Sequence, residues 1–456
     1  MQIIIVLGCY LLLMLGIGIY GKRYASNFSE YLTASKQSTI IMIIGTGIGA
    51  HIGSGFVIGG AESAVTSGFG GVWYGVGCAL SYLLFATTVA RLIHRKGYVT
   101  LSDYYLERYK DKGTRLIYSV STAFAYLGIL GAQIMAGKAI FEGFGYSGTI
   151  GAVITTVVVL IYASMSGLWG AYMTSVIQTL IIGIGLIAAT AFILLKGGWG
   201  IITSTLPASQ FELIPFDVST WLMLFVPVAL ANFTDQGNFQ RASSAKTDAI
   251  AVKGHLLAGL LILPLACMPV VIGMYGAAAF PDAPASSIFF KVVLAEFPPI
   301  LGAILIASVL SAVMSTADMS FLAISATVVH DIYAGMIKKD AKEAELKKMA
   351  NILNIVVCAV ALMMALMFTN IISLLSLTYS FMVAGCMVPF LGGLLWKRGN
   401  AKGAIASAIV GIGLTLLDAS KILPLPYASV LPVLPAAIAY VLVSLCTKET
   451  YKAEEA

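Results

Sequence analysis

Charge is what this 456-residue chain has least of: Asp, Glu, Lys and Arg together make up 11% of it, under half the share of an ordinary soluble domain. So few ionic groups cannot cover a surface that faces water on all sides, which excludes a soluble globular chain. Histidine is equally scarce. His51, His94, His255 and His330 fall in separate stretches, too scattered for the metal cluster or nucleophile–base pair that a membrane-embedded enzyme would need. Cys9, Cys78, Cys267, Cys358, Cys386 and Cys446 sit singly in apolar runs without CxxC or Cys/His spacing, so neither a disulfide framework nor a zinc site is indicated. The net charge of +6 does not mark a nucleic-acid binder, because the basic residues lie in short segments between apolar runs.

What the chain has is hydrophobic length: 59% of its residues are apolar. With a bilayer span of about 20 residues as the measure, the runs predict an all-α integral membrane protein. Thirteen helices are expected, at 2–20, 38–67, 71–94, 116–142, 147–165, 171–195, 218–240, 254–278, 297–329, 350–368, 371–396, 402–419 and 428–447. Met1–Tyr20 lacks a basic leader region and a small-residue cleavage site, so it reads as the first span rather than a signal peptide. Lys and Arg set the orientation. With the N-terminus outside and the C-terminus inside, only Lys138, Lys196, Lys291 and Lys421 of the 27 basic residues fall outside. Leu101–Tyr109 and Asp340–Lys348 read as inner surface helices, the second rich in Glu/Lys pairs at helical spacing. No linker or second domain is apparent. The host is a cell membrane, in a bacterium the cytoplasmic one, and no obligate protein partner or organic cofactor is expected.

Three spans are not plain hydrophobic helices. The second carries glycines at 45, 47, 49, 53, 55, 59 and 60, with His51 and Ser54 among them. Each glycine costs about 1 kcal/mol of helix stability relative to alanine, so the cluster points to an unwound stretch; a small-residue packing face of the GxxxG kind is the other reading. The seventh ends Asn232-Phe-Thr-Asp235-Gln236-Gly-Asn238-Phe-Gln240-Arg241, too polar for lipid. The ninth, around 307–320, places Ser308, Ser311, Ser315, Thr316 and Asp318 at membrane depth. Such hydroxyls often bond their own helix or glue helices together. Two adjacent hydroxyls beside freed carbonyls also suit a small hard cation that needs oxygen ligands. Spans two and seven each begin a run of five, the placement of the discontinuous helices in inverted-repeat transporters.

At these residues the chain resembles the sodium:solute symporter family, which includes proline, pantothenate, sugar and sialic acid symporters. Ser29-Glu-Tyr-Leu-Thr-Ala34 resembles its D-Y-x-L-A segment, and Thr100-Leu-Ser-Asp-Tyr-Tyr-Leu-Glu-Arg-Tyr109 its T-L-x-[DE]-x-L-x-x-R-Y loop. Asp235-Gln236, Gln240-Arg241 and Ala245-Lys246 follow its N-Q-x-x-x-Q-R-x-x-A-x-K motif, with Asp first. Leu310-Ser-Ala-Val-Met-Ser-Thr316 resembles its S-A-x-M-S-[ST] sodium helix, and Trp396-Lys-Arg-Gly-Asn-Ala-Lys-Gly403 its W-K-R-x-x-x-x-G loop. The resemblance implies a five-plus-five inverted-repeat (LeuT-like) core, with repeats at 38–195 and 218–396, an extra helix in 1–37 and two accessory helices in 401–447. It implies alternating access driven by sodium. It also implies a sodium site from the carbonyls of Ala50, Gly53 and Ala312 and the hydroxyls of Ser315 and Thr316. Members with a second sodium site carry T-D-x-x-Q in the sixth span; Thr174-Ser175-Val-Ile-Gln178 has serine there, so one sodium per cycle is expected.

The solute is not legible. His51, Ser54, Asn232, Gln236, Tyr379 and Gln133 are the candidate solute contacts; Asp235, Asp318 and Arg241 are candidates for the inner exit or its gating. No arginine is expected at mid-membrane, which favours a small neutral, zwitterionic or aminated solute over a carboxylate held by a salt bridge. A proton in place of sodium, through His51 or the aspartates, is the alternative, as is a non-coupled channel or sensor of the same architecture.

Overall fold

The computed structural model describes residues 2–21, 32, 36–163, 168–214 and 217–447. The 29–34 segment lies outside the described residues except for Leu32. The described residues form helices without a named strand; Ser38 and Ala245 make an isolated parallel bridge. The helices are α1 Gln2–Gly21, α2 Ile40–His51, α3 Gly60–Ser67, α4 Val72–Thr88, α5 Ala90–Lys96, α6 Leu101–Tyr109, α7 Lys112–Gly143, α8 Gly148–Ala163, α9 Leu168–Leu195 and α10 Gly198–Thr205. They continue with α11 Val218–Ala231, α12 Gln236–Ser244, α13 Asp248–Ala279, α14 Ile288–Glu296, α15 Pro299–Ser325, α16 Glu343–Met367, α17 Ile371–Met382, α18 Val388–Leu395, α19 Ala401–Ala419 and α20 Val433–Cys446. Among the described residues eight helices are long and apolar enough to cross a membrane, and nine when the α11–α12 pair, bent by 46°, counts as one.

Local chemistry sets the ends. Thr100 caps α6 and shares a capping box with Asp103, while Lys110 closes the helix at φ 49°. The second expected surface helix does not stand alone: α16 runs from Glu343 straight into the tenth span. Its Glu/Lys pairs favour helix as much as the apolar run does, so nothing stops it between the two. Between α3 and α4 the chain turns at Gly68, whose φ is +50° and whose added Cβ would meet the Gln210 carbonyl oxygen at 2.0 Å. Gly68→Ala is therefore expected to destabilise by about 1–3 kcal/mol and to lower the melting temperature. Gly183→Ala, with no atom within 4 Å of its Cβ, should leave it unchanged or slightly raised. An equal effect of the two would remove the steric account.

α13 packs along α3 and α4, α9 along α2 and α15, and α7 along α15, α16 and α17. The interrupted α2 is thereby held between α9, α13 and α15, and the site forms at its break. Glycine makes this close packing possible: a Cβ on Gly45 would meet Val176 at 2.8 Å, and one on Gly47 would meet Tyr82 at 3.1 Å. The packing-face reading of the second span thus holds for Gly45 and Gly47, and the break is narrower than the glycine cluster suggested. Only Ile52 and Gly53 leave the helix, and a π-helical turn at Gly55–Gly59 resumes it.

Candidate cation and solute site

At the break, the backbone N–H of Ser54 would ordinarily close onto the Ala50 carbonyl four residues back. Instead it donates to Gln133 Oε1 at 3.1 Å. Gln133, one of the candidate solute contacts, therefore helps keep the helix open. The freed Ala50 carbonyl accepts from Thr316 Oγ1 at 3.2 Å, and the Gly49 carbonyl accepts from Ser315 Oγ at 2.6 Å and Thr316 Oγ1 at 3.2 Å. Both hydroxyls also reach the Ala312 carbonyl of their own helix, at 3.2 and 2.9 Å. Five oxygens from α2 and α15 converge. Gly53 sits beside them, since its added Cβ would lie 2.7 Å from Thr316 Oγ1, but its carbonyl accepts from the Val57 N–H at 3.1 Å. The structure thus brings the Gly49 carbonyl into the cluster where the resemblance implied that of Gly53. Carbonyls turn outward over a whole helical turn, so the neighbour that faces α15 was not readable from sequence.

Below the break a cavity of about 20 Å³ is lined by Ala50, His51, Tyr126, Asp235, Arg241, Thr316 and Tyr379, among others. That volume admits a water, not a solute. Its polar wall is an ion pair. Asp235 caps α12 through the Asn238 N–H at 2.7 Å, and its carboxylate accepts from Tyr126 Oη at 2.7 Å and Arg241 Nη2 at 3.3 Å. Arg241 also donates to Asn238 Oδ1, and its guanidinium Cζ lies over the Tyr82 ring, 5.9 Å from the centroid. Its Nη1 has no partner among the described residues. Only 1% of Arg241 is exposed, and it lines the cavity at the α2 break, which corrects its placement among the basic residues of the loops. The 46° bend at Asp235 folds α12 back toward the core, and a residue counted as interfacial becomes buried.

His51 donates through Nε2 to Asn232 Oδ1 at 3.0 Å, and Asn232 Nδ2 donates to Ser81 Oγ at 2.5 Å. Ser81 in turn donates to the Cys78 carbonyl at 2.6 Å. This run of donors fixes the Asn232 orientation and places a proton on His51 Nε2. Nδ1 lies 3.0 Å from Tyr82 Oη, whose single proton also has the Gly47 carbonyl at 2.9 Å within reach. Ser54 Oγ donates to the Ala132 carbonyl and is fully buried.

Gln236 is not brought to the cavity. Its amide donates to the Val99 carbonyl at 2.9 Å and accepts from the Leu101 N–H at 2.8 Å, so it seats the start of α6 against α12. Asp318 is also elsewhere: it is buried but not among the cavity-lining residues. Tyr82 and Tyr126 were missed, because a tyrosine in an apolar run reads as core until a buried partner for its hydroxyl is known. Gln236→Ala is expected to cost about 1–3 kcal/mol by orphaning two backbone groups while leaving the solute KM unchanged. A raised KM at unchanged stability would return Gln236 to the solute site.

Asp103, His330 and Asp331 offer ligand atoms within 4.8 Å of one another. Arg115 Nη2 sits 3.1 Å from Asp331 and 3.5 Å from Asp103. The guanidinium is shared between the two carboxylates and His330 Nδ1 lies 3.0 Å from Asp331, so the cluster reads as an ion-pair network tying α6 and α7 to the end of the ninth span.

The profile of the sodium:solute symporter family matches residues 31–411. The chain belongs to this family. The symporter is 25% identical over 435 residues to the sodium/pantothenate symporter of Escherichia coli K12, covering 90% of this chain and 89% of that one. It is 24% identical over 425 residues to the sodium/proline symporter of the same organism, covering 88% and 84%. Among solved structures it is similar to a sodium-coupled sialic acid symporter in a substrate-bound outward-open state, with TM-score 0.82, 19% identity and 98% of each chain covered. That likeness shows the fold. The symporter is a multi-pass cell-membrane transporter and not an enzyme, and sodium-coupled solute symport is its activity class.

Proposed function

We propose that this symporter imports a small zwitterionic or aminated solute with one sodium ion per cycle, by alternating access. The observation that carries the coupling is the five-oxygen cluster at the break of α2. Carbonyl dipoles and two hydroxyls can replace the water shell of a sodium ion without a buried carboxylate. The hydroxyl protons, now turned toward carbonyls, rotate away when the cation enters. The stoichiometry of one is supported by Ser175, whose buried Oγ replaces a charged ligand at the place of a second site.

The solute class follows from the cavity wall. Asp235 with Arg241 offers an acceptor for an ammonium and a spare N–H for a carboxylate, a combination that fits a zwitterion, and the relatives' proline and pantothenate both bear a carboxylate. His51, Tyr379 and Thr316 face the same space, with Gln133, Ser54 and Asn232 as their supports. Because the cavity admits only a water, loading requires α2, α12 and α17 to part. The thirteen-span topology with the N-terminus outside, and the repeats 38–195 and 218–396, belong to this reading. None of the five oxygens in the cluster belongs to a group that titrates near neutral pH, which supports sodium rather than a proton.

Proteoliposomes with an inward sodium gradient and no proton gradient provide the test, using solutes first selected by sodium-dependent thermal stabilisation. Concentrative uptake with a sodium-to-solute ratio of one is expected. Uptake that follows a proton gradient in potassium buffer would overturn the coupling.

A further inference from the structure

A second cavity, of about 220 Å³, lies against the face of α17 that carries Ser376 and Ser380. It is formed by α11, the connection before α17, α17 itself, α19 and the segment after α19, and it has no lining residue in common with the central cavity. That volume is below the range of drug-sized sites, so it takes something smaller. Ser373, Ser376 and Ser380 stand three and four residues apart and share one face of α17. Ser376 Oγ is spent on the Met223 carbonyl at 3.0 Å. Ser380 Oγ, 3% exposed, has no partner among the described residues. Across the cavity Asp418 uses Oδ1 to accept the Leu425 N–H at 2.9 Å, and no salt bridge to it occurs among the described residues. Phe368 and Met223 supply the apolar wall, and no Lys, Arg or His lines the space.

We propose that this cavity is a binding site for a small organic ammonium ion, separate from the transport site. The carboxylate supplies the charge, the Ser380 hydroxyl an oxygen at depth, and the Phe368 ring a face that attracts cations. The absence of any basic lining residue rejects anions. A bare metal ion would need a shell of oxygens on all sides, which the Met223 and Phe368 wall does not offer; an ammonium carrying carbon matches that wall. The site needs neither the sodium cluster nor the Asp235–Arg241 pair, so it stands or falls apart from the coupling described above.

The test is a thermal-shift titration of the purified full chain with tetramethylammonium at saturating sodium and constant ionic strength, with tert-butanol as the neutral isostere. Saturable stabilisation by tetramethylammonium and none by tert-butanol is expected. Asp418→Asn keeps the acceptor for Leu425 and should weaken binding by about tenfold or more, the loss of one charge–charge attraction. Ala428→Trp, on the exposed segment that rims the cavity, should abolish binding by filling it while leaving Asp418 in place. The double variant Asp235→Asn/Arg241→Gln should bind as the parent does. Equal binding of the isostere, no binding by the parent chain, unchanged affinity in either cavity variant, or loss in the double variant would overturn the proposal.

Discussion

Replacing Ser315 and Thr316 together by alanine is expected to abolish sodium-stimulated uptake and the stabilisation that sodium confers on the purified protein. Each hydroxyl bonded to a charged partner contributes about 1.5–3 kcal/mol. Losing two weakens the cation site by about 3–6 kcal/mol, which at about 1.4 kcal/mol per decade is roughly a hundred- to ten-thousandfold in affinity. The parent chain at a sodium concentration about 100 times its Kd gains about 2.7 kcal/mol of stability; the variant should gain nothing measurable at that concentration. The fold itself should survive in potassium. The hydroxyls bond carbonyls of Gly49, Ala50 and Ala312, and a carbonyl that loses one donor costs less than an orphaned N–H. Thr316→Ser keeps the oxygen and should keep most of the sodium response. Sodium dependence that persists unchanged in the double alanine variant would place the ion elsewhere.

The second large effect concerns the ion pair. Asp235→Asn or Arg241→Met is expected to destabilise the protein by about 3–5 kcal/mol, because each leaves an uncompensated charge buried in the protein. Only 5% of Asp235 and 1% of Arg241 are exposed, so water cannot stand in for the missing partner. Asp235→Asn combined with Arg241→Gln removes both charges and should recover much of the stability. Uptake separates the two possible roles. If the pair holds the solute, the double variant folds and still does not transport. Recovered uptake in the double variant would show that the pair serves the fold alone.

Much of the helical frame could be read from hydrophobic length, because a bilayer demands about 20 apolar residues per span and no soluble alternative competes. α6 matched the expected surface helix at Leu101–Tyr109, where Thr100 and Asp103 form a local capping box. Local signals of that kind involve residues three apart and need no knowledge of the fold. The pairing of α2 with Ser315 and Thr316 was also foreseeable, since a dense glycine cluster frees carbonyls in one span and two adjacent hydroxyls in another offer matching oxygens.

Position in three dimensions was not foreseeable. Gln236 and Asn232 are one turn apart in sequence, yet Asn232 meets His51 while Gln236 seats α6, because the 3₁₀ turn and bend between them rotate the chain. Arg241 looked interfacial by count, and the same bend buried it. The sequence by itself determined that this is a membrane-embedded helical transporter with a weak point in the second span, since composition and glycine placement act through local and solvent terms. The tertiary structure alone decided which carbonyls face the hydroxyls and which charges share a cavity, because those depend on helix rotation and bend angle, set by contacts between residues far apart in the chain.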